Sequence, residues 1–386
     1  MISLAFLAAW LLTDLVATYG VIHYLRHLTA LAPAENAPRV VILTAIKGVG
    51  AATAPFLETL CRQHYPHYRL VFALQAVSDP VLVLIEDLRR RFGAERAIDV
   101  VIAGSATQRA QKVHNQLAAL STLRDEDAIV VFADADILPD ERWLSQLVRP
   151  VANGDVAASS GYRWQLPTDR RWPSLIAASI DMSIATAARS FRWNLCWGGS
   201  MALDRSVLDR IDLPSVWNRA GTDDLTLTAA LRAGGYKVNA PLHVLVPSPI
   251  AFGWPSLFGF ARRQYMLLRT YAPRHWLFAG WTVIVPALGA ALALHEALNG
   301  SNLPWLLIAS SSALLQVRLS IRYRIAALLL PPDSIAHAKS TIAFSRWAWP
   351  LIHLVHLIMF LASIGRRRFS WAGIKYRVSS KTTWVD

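Results

Sequence analysis

Asp134 and Asp136, separated by one alanine, follow directly on the apolar run Val130-Val131-Phe132-Ala133. A buried strand ending in two carboxylates places them where open α/β sheets bind ligands, outside the carboxyl ends of the strands. Hard oxygen donors there suit Mg2+ or Mn2+ bridging to a diphosphate. Asp-x-Asp alone is a common turn, so its meaning depends on the groups that share its site. Gly221-Thr222-Asp223-Asp224-Leu225 reads as a helix start, with Thr222 or Asp223 as cap and the acidic residues matched to the macrodipole. If that start shares a site with Asp134 and Asp136, one of its carboxylates is a base. Trp197-Gly198-Gly199-Ser200-Met201 is either a tight turn beside a tryptophan or a place where backbone approaches a ligand. In Phe260-Ala261-Arg262-Arg263-Gln264-Tyr265, helical spacing sets Arg262, Tyr265 and Arg269 near one face. Arginines there either snorkel to a membrane surface or grip a diphosphate or an acceptor headgroup. His243 is either a packed strand residue or a member of a metal shell.

The elements that must hold these groups follow from period and punctuation. Val40–Thr44, Arg69–Ala76, Ile98–Ala103 and Ala128–Ala133 read as strands. Between them, Thr53 caps a helix running to about His64, Val81–Arg91 and Gln111–Leu120 form two more, and Asp140 caps a fourth through Val148. This alternation predicts an α/β fold with a mainly parallel sheet and helices on both faces.

Composition places that region beside a membrane. The 386 residues carry a net charge of +13, yet only 17% are charged, and the deficit is uneven. Mean hydropathy is +0.33. Basic residues cluster next to apolar stretches, as at Arg366-Arg367-Arg368 and Arg318 to Arg324, which favours an anionic lipid surface over a nucleic acid. Cys61 and Cys196 give no disulfide framework. Residues 1–25 read as a retained anchor, since the positive charge follows the apolar stretch. Residues 36–250 form the catalytic region, 251–275 an interfacial amphipathic segment, 276–365 spanning or re-entrant helices, and 366–386 a basic tail. Trp276–Leu294 is long enough to span and Trp347–Ile364 is about spanning length, whereas Leu303–Val317 is shorter. An anchor plus three later spans would put the C-terminus outside, while Arg366 to Arg368 argue for inside. One apolar segment is then interfacial or re-entrant, with Leu303–Val317 and the Pro350-containing segment as candidates.

Taken in order, these pieces resemble the family 2 type of GT-A glycosyltransferases, and within it the ceramide glucosyltransferase-like group. Lys47-Gly48-Val49 is similar to that group's Lys-Gly-Val-Asp, and Ser78-Asp79-Pro80 to its Asp-Asp-Pro. Lys112-Val113-His114-Asn115 resembles its Lys-Ile-Asn-Asn, and Gly198-Gly199-Ser200-Met201 its Gly-x-Ser/Thr-Met. Thr222-Asp223-Asp224 stands where members have Thr-Glu-Asp, and Trp371 to Arg377 looks like the tail Trp-x-x-Gly-x-Tyr-Arg. Two departures stand out. The first acidic residue before Asp-Pro is lost near Ala76, so Asp79 substitutes or the uracil side is held differently. The Gln/Arg-x-x-Arg-Trp motif appears as Ala261-Arg262-Arg263-Gln264-Tyr265.

The resemblance implies inverting transfer of a sugar from a UDP-linked donor to a hydroxyl of a membrane lipid, such as a sphingolipid. It implies Mg2+ or Mn2+ held mainly by Asp136, with Asp134 on the ribose or the ion's water. Asp224 is the implied base and Asp223 its support or a helix cap. Asp79, Lys112, Asn115, Asp134, Gly199, Arg263, Gln264 and Tyr265 are the implied substrate-binding residues, with Lys47 a supporting cation. The protein is then integral to the cell or inner membrane, with its catalytic domain cytoplasmic. Two other readings stay open. A processive polysaccharide synthase would show an intact Gln-x-x-Arg-Trp and more spans, and a non-catalytic nucleotide-binding scaffold would bind the nucleotide without turnover.

Overall fold

The computed structural model describes residues 2–28, 37–379 and 382–385. The chain divides into two compact units, one of residues 30–163, 189–249 and 367–386, the other of 1–29, 164–188 and 250–366.

The first unit is built on a seven-stranded sheet. Its strands are β1 (Val40–Ala45), β2 (Tyr68–Leu74), β3 (Ile98–Ile102), β4 (Ile129–Ala133) and β5 (Ala158–Ser160). After β6 (Tyr162–Pro167) come β7 (Ser200–Asp204) and β8 (Val238–Asn239), and the sheet order is β3-β2-β1-β4-β7-β5-β8. β1 pairs in parallel with β2 and β4, with Leu43 opposite Phe132. β7 runs antiparallel to β4, setting Met201 against Phe132 and Ser200 against Ala133. The apolar, β-branched runs that marked the strands are buried throughout β1, β2 and β4, apart from half-buried Ala45, as a sheet covered on both faces requires. β9 (Leu245–Ile250) pairs with β6 in a separate two-stranded sheet.

Helices Thr53–Cys61, Val81–Phe92, Gln111–Leu120 and Trp143–Ala152 alternate with the first strands as the sequence pattern requires. Their caps differ from expectation. The Thr53 hydroxyl accepts from the Gly50 N–H at 2.8 Å while Ala52 stands at the N-cap, and the Asp140 carboxylate accepts from Arg142 N–H at 3.0 Å before the helix begins. The expected basic tail is a folded three-stranded sheet of β10 (Arg368–Trp371), β11 (Ile374–Ser379) and β12 (Thr382–Val385). It belongs to the same unit: Lys47 Nζ donates to Ala372 O at 3.1 Å, and Gln111 N–H donates to the Tyr376 hydroxyl at 3.2 Å.

The second unit is helical. Ile2–Arg26, Trp172–Ala185, Trp254–Tyr271, Pro273–Leu298, Leu303–Leu329 and Pro332–Leu361 make it up. Four of these are long and apolar enough to cross a membrane: Ala5–Arg26, Pro273–Leu298, Leu303–Leu329 and Pro332–Leu361. Leu303–Val317 is not a short segment, because its helix continues through Arg318 to Leu329, 27 residues in all. The charge is accommodated by Asp14 of the N-terminal helix, whose carboxylate pairs with Arg318 at 2.8 Å and accepts from the Ser311 hydroxyl. Both charges are buried, and each offsets the cost of burying the other.

Candidate active site

Lys112 is the hub of the site. It lies in the first turn of Gln111–Leu120, and its ammonium is 2.6 Å from Asp134 at the end of β4 and 2.9 Å from Asp223. Asp223 also accepts from Gln116 Nε2 at 3.0 Å. Lys112 and Gln116 are four apart on one helix, so both face the same carboxylate. That is why Asp223, at the N-cap position of Asp224–Ala233, makes no capping bond with its side chain: its carboxylate points to the lysine.

Asp224 is held separately. One carboxylate oxygen accepts from the Thr222 hydroxyl at 2.5 Å and Leu225 N–H at 2.7 Å, and the other from Gly198 N–H at 3.2 Å. The glycine turn therefore serves the carboxylates directly. A Cβ on Gly198 would run into the Asp223 carboxylate and the Lys112 ammonium, and one on Gly199 into the Trp197 ring. The Gly199 carbonyl accepts from Asp134 N–H at 3.3 Å.

This crowding of charge sets the protonation. Burial first, then the charges of Asp136 and Asp223, push Asp134 up to about 6 against the pull of Lys112. Burial and the neighbouring Asp223 also raise Asp224, opposed by Lys112 and by the bonds from Thr222 and Gly198. Burial would lower the Lys112 ammonium, but Asp134, Asp223 and Asp224 together reverse that and hold it above the ordinary lysine range. Lys112 stays charged, while two carboxylates are poised to take up a proton.

Asp136 is exposed and, among the described residues, its carboxylate makes no hydrogen bond or ion pair. No group of three or more His, Cys, Asp or Glu able to hold a metal occurs among the described residues. Two aspartates of all-oxygen character nevertheless fit Mg2+ or Mn2+, which bind through one or two carboxylates and complete their coordination with substrate phosphates and water. Asp136, with Asp134, would hold the ion.

The remaining expected residues fall into three situations. Asp79 is half-buried and accepts from Gly48 N–H at 3.0 Å through each oxygen and from Val81 N–H at 3.0 Å, which fixes the Lys47-Gly48 loop. Asn115 is buried, with its amide used by Ala73 O at 3.2 Å and Gln111 Nε2 at 2.8 Å. It ties the helix to β2 through these two bonds. Arg263, Gln264 and Tyr265 belong to the helical unit on Trp254–Tyr271, where the Arg263 guanidinium lies 5.6 Å from the Phe260 ring centroid and the Tyr265 hydroxyl bonds His356. Sequence reasoning overlooked Gln116, and it read Gly198 and Thr222 as a turn and a cap rather than as donors to the Asp224 carboxylate. The i, i+4 spacing from Lys112 was the available signal for Gln116.

A parallel sheet extended by an antiparallel β7, with an Asp-x-Asp at the end of β4 and a second acidic pair meeting it through a lysine, defines a GT-A glycosyltransferase that uses a nucleotide-sugar donor. The chain belongs to glycosyl transferase family 21, whose family model matches residues 7–384. Its fold is similar to that of a mannosyltransferase from Pyrobaculum calidifontis solved with GDP-Man and Mn2+, at a TM-score of 0.52 and 18% identity over 94% of this chain and 97% of that one. Glucosyl-3-phosphoglycerate synthase from Mycobacterium tuberculosis, solved with Mn2+, UDP and phosphoglyceric acid, aligns at a TM-score of 0.38 and 13% identity over 61% of this chain and 78% of that one. No curated protein matches the sequence.

Proposed function

We propose that this enzyme transfers a sugar, with inversion, from a UDP-linked donor to a hydroxyl of a membrane lipid at the cytoplasmic face of the cell membrane. The observation that carries this reading is the meeting of Asp134, Asp223 and Asp224 around Lys112, beside the exposed Asp136. Asp224 takes the proton of the acceptor hydroxyl. That oxygen bonds to the anomeric carbon from the face opposite the diphosphate, and the bond from that carbon to the diphosphate oxygen breaks, releasing UDP. A carboxylate raised by burial is a stronger base than a free one, and positioned base catalysis contributes roughly 10²–10⁴-fold. Mg2+ or Mn2+ held by Asp136 and Asp134 would neutralise charge on the departing diphosphate. Lys112 keeps Asp134 and Asp223 in place and supplies a fixed positive charge beside them. Asp79, through the Gly48 loop, is assigned to the nucleoside side, and Arg263, Gln264 and Tyr265 to the acceptor side.

A lipid acceptor accords with the four long apolar helices, which give the chain the means to reside in a bilayer. The test is UDP release by detergent-purified protein given a panel of UDP-sugars and total membrane lipid. Lipid-dependent release from one donor, lost with chelator and with Asp224→Asn, is the expected result. Metal-dependent UDP binding without lipid-stimulated release would overturn the lipid acceptor.

A further inference from the structure

The path of the chain limits how many of its four apolar helices cross the bilayer. Residues 37–163 and 367–385 fold into one unit, held by Lys47 to Ala372 at 3.1 Å, Gln111 to Tyr376 at 3.2 Å and Val385 N–H to Thr107 O at 3.2 Å. A folded unit occupies one side of a membrane. Residues 250–366, which leave that unit and return to it, therefore cross an even number of times. Three helices compete for those crossings, so at least one of them does not cross.

Packing within the helical unit says which. Leu7 and Trp10 of the N-terminal helix form one apolar cluster with Val285 and Ala293 of Pro273–Leu298, and Leu307 and Ile308 of Leu303–Leu329 pack on it. The Thr13 hydroxyl accepts from Trp281 Nε1 at 3.1 Å, and Asp14 pairs with Arg318. These three helices pack lengthwise. A short connection makes the last two an antiparallel pair, so the start of Pro273–Leu298 is level with the end of Leu303–Leu329.

Pro332–Leu361 begins just after Leu329, and its last turn lies against the first turns of Pro273–Leu298. Phe360 stacks on Trp276 at 5.2 Å and fills the space a Gly280 Cβ would take. Beyond it, Arg366 O accepts from Arg269 Nη2 at 2.6 Å, on the helix that leads into Pro273. Both ends of Pro332–Leu361 thus stay at one end of the three-helix stack.

Its surface agrees. Exposed residues of the first half include Asp333, Lys339 and Arg346, whereas those of the second half are Trp347, Pro350, Leu354, Ile358 and Leu361, spaced to form one stripe. From Trp347 the helix runs on for only about 15 residues, or ~22 Å, before it ends at Leu361, short of the ~30 Å hydrocarbon core. The opposite face, Phe344, Ala348, Ile352, Val355 and Met359, packs on Leu175, Ile176, Leu257 and Ala261. Those belong to helices of 14 and 18 residues that are not candidate spans. Trp172 meets Trp347 edge-on at 6.2 Å, and both are about half or more exposed, as in an aromatic belt.

We propose that Pro332–Leu361 does not cross the bilayer but lies in the leaflet facing the catalytic unit, with Trp347, Leu354, Ile358 and Leu361 inserted among the acyl chains. The chain then crosses three times, through Ala5–Arg26, Pro273–Leu298 and Leu303–Leu329. This rests on the membrane reading and not on the transfer chemistry.

The test is labelling, by a membrane-impermeant maleimide in right-side-out and inverted membrane vesicles, of variants that each carry one introduced cysteine. Arg90→Cys, Asn302→Cys, Lys339→Cys and Ser370→Cys replace exposed residues, and native Cys61 and Cys196 are buried and set the background. Labelling after denaturation, less that of the parent protein, scores the total for the introduced cysteine. Arg90→Cys, Lys339→Cys and Ser370→Cys are expected to react in one vesicle orientation and lose labelling in the other, with Asn302→Cys showing the reverse. Ser370→Cys on the side opposite Arg90→Cys would mean that Pro332–Leu361 spans. Lys339→Cys opposite Arg90→Cys, or Asn302→Cys on the same side as it, would assign the non-crossing segment elsewhere. Each of these overturns the proposal.

Discussion

Lys112 and Asp223, remote in sequence, meet at 2.9 Å inside the catalytic unit, and the same ammonium reaches Asp134 at 2.6 Å. Without it, the buried carboxylates would face one another uncompensated. Lys112→Met is expected to destabilise the protein by about 3–5 kcal/mol, the usual cost of removing one partner of a buried ion pair. A fall in melting temperature together with loss of nucleotide binding checks it. A variant as stable as the parent would mean that the lysine does not hold the carboxylates together.

Asp224→Asn keeps the shape of the side chain and, with its oxygen toward Thr222 and Leu225, an acceptor for those two donors; it gives up the bond from Gly198 N–H and removes the base. kcat is expected to fall by roughly 10²–10⁴-fold, with nucleotide affinity little changed. Calorimetric titration of UDP beside turnover measurements separates the two. Equal losses in affinity and turnover would move Asp224 from base to binding residue.

Gly198→Ala places a methyl group against the Asp223 carboxylate and the Lys112 ammonium. The groups it meets are held on several sides, so the turn must shift and take the Gly198 N–H off Asp224. Activity is expected to drop by at least about tenfold while the fold survives, since one displaced site element costs more in orientation than in stability. Unchanged far-ultraviolet circular dichroism with reduced turnover is the signature.

Much of this architecture was legible beforehand. Gln111–Leu120 and the starts of β1 and β3 fall where apolar period and Gly/Pro punctuation put them, because those signals are local. The Asp134–Asp136 pair was legible for the same reason: a strand that ends in carboxylates announces itself. What could not be read was which partner each charge would choose. Asp223 looked like a helix cap because its local options were all capping options, and Lys112, which outbids them, comes from another helix. Leu303–Val317 looked short because Arg318 appeared to end it, and the Asp14 carboxylate that allows the helix to continue lies near the other end of the chain. The bond from the Asn115 amide to Ala73 O was likewise not readable, because it joins the helix to a strand 42 residues earlier.

The protonation of Asp134 sets stability and activity against each other as pH changes. Its folded pKa is about 6, while an unfolded aspartate titrates near ~3.9. Between those values the folded state holds more protons than the unfolded one, so stability contributed by this group is present in full below about pH 4 and is lost as pH rises through about 6. Activity runs the other way. A protonated Asp134 neither pairs with Lys112 as an ion nor offers a full charge to a cation, and Asp224, raised as well, stops acting as a base when protonated. Turnover is therefore expected to fall as pH drops below about 6, while the melting temperature of the metal-free protein, with respect to this group, does not fall between pH 6 and 5. Excess Mn2+ should shift the acid limb of nucleotide binding to lower pH, since cation and proton compete for the same carboxylate. An acid limb of binding that ignores Mn2+ concentration would remove Asp134 from the cation site and leave Asp136 to hold it alone.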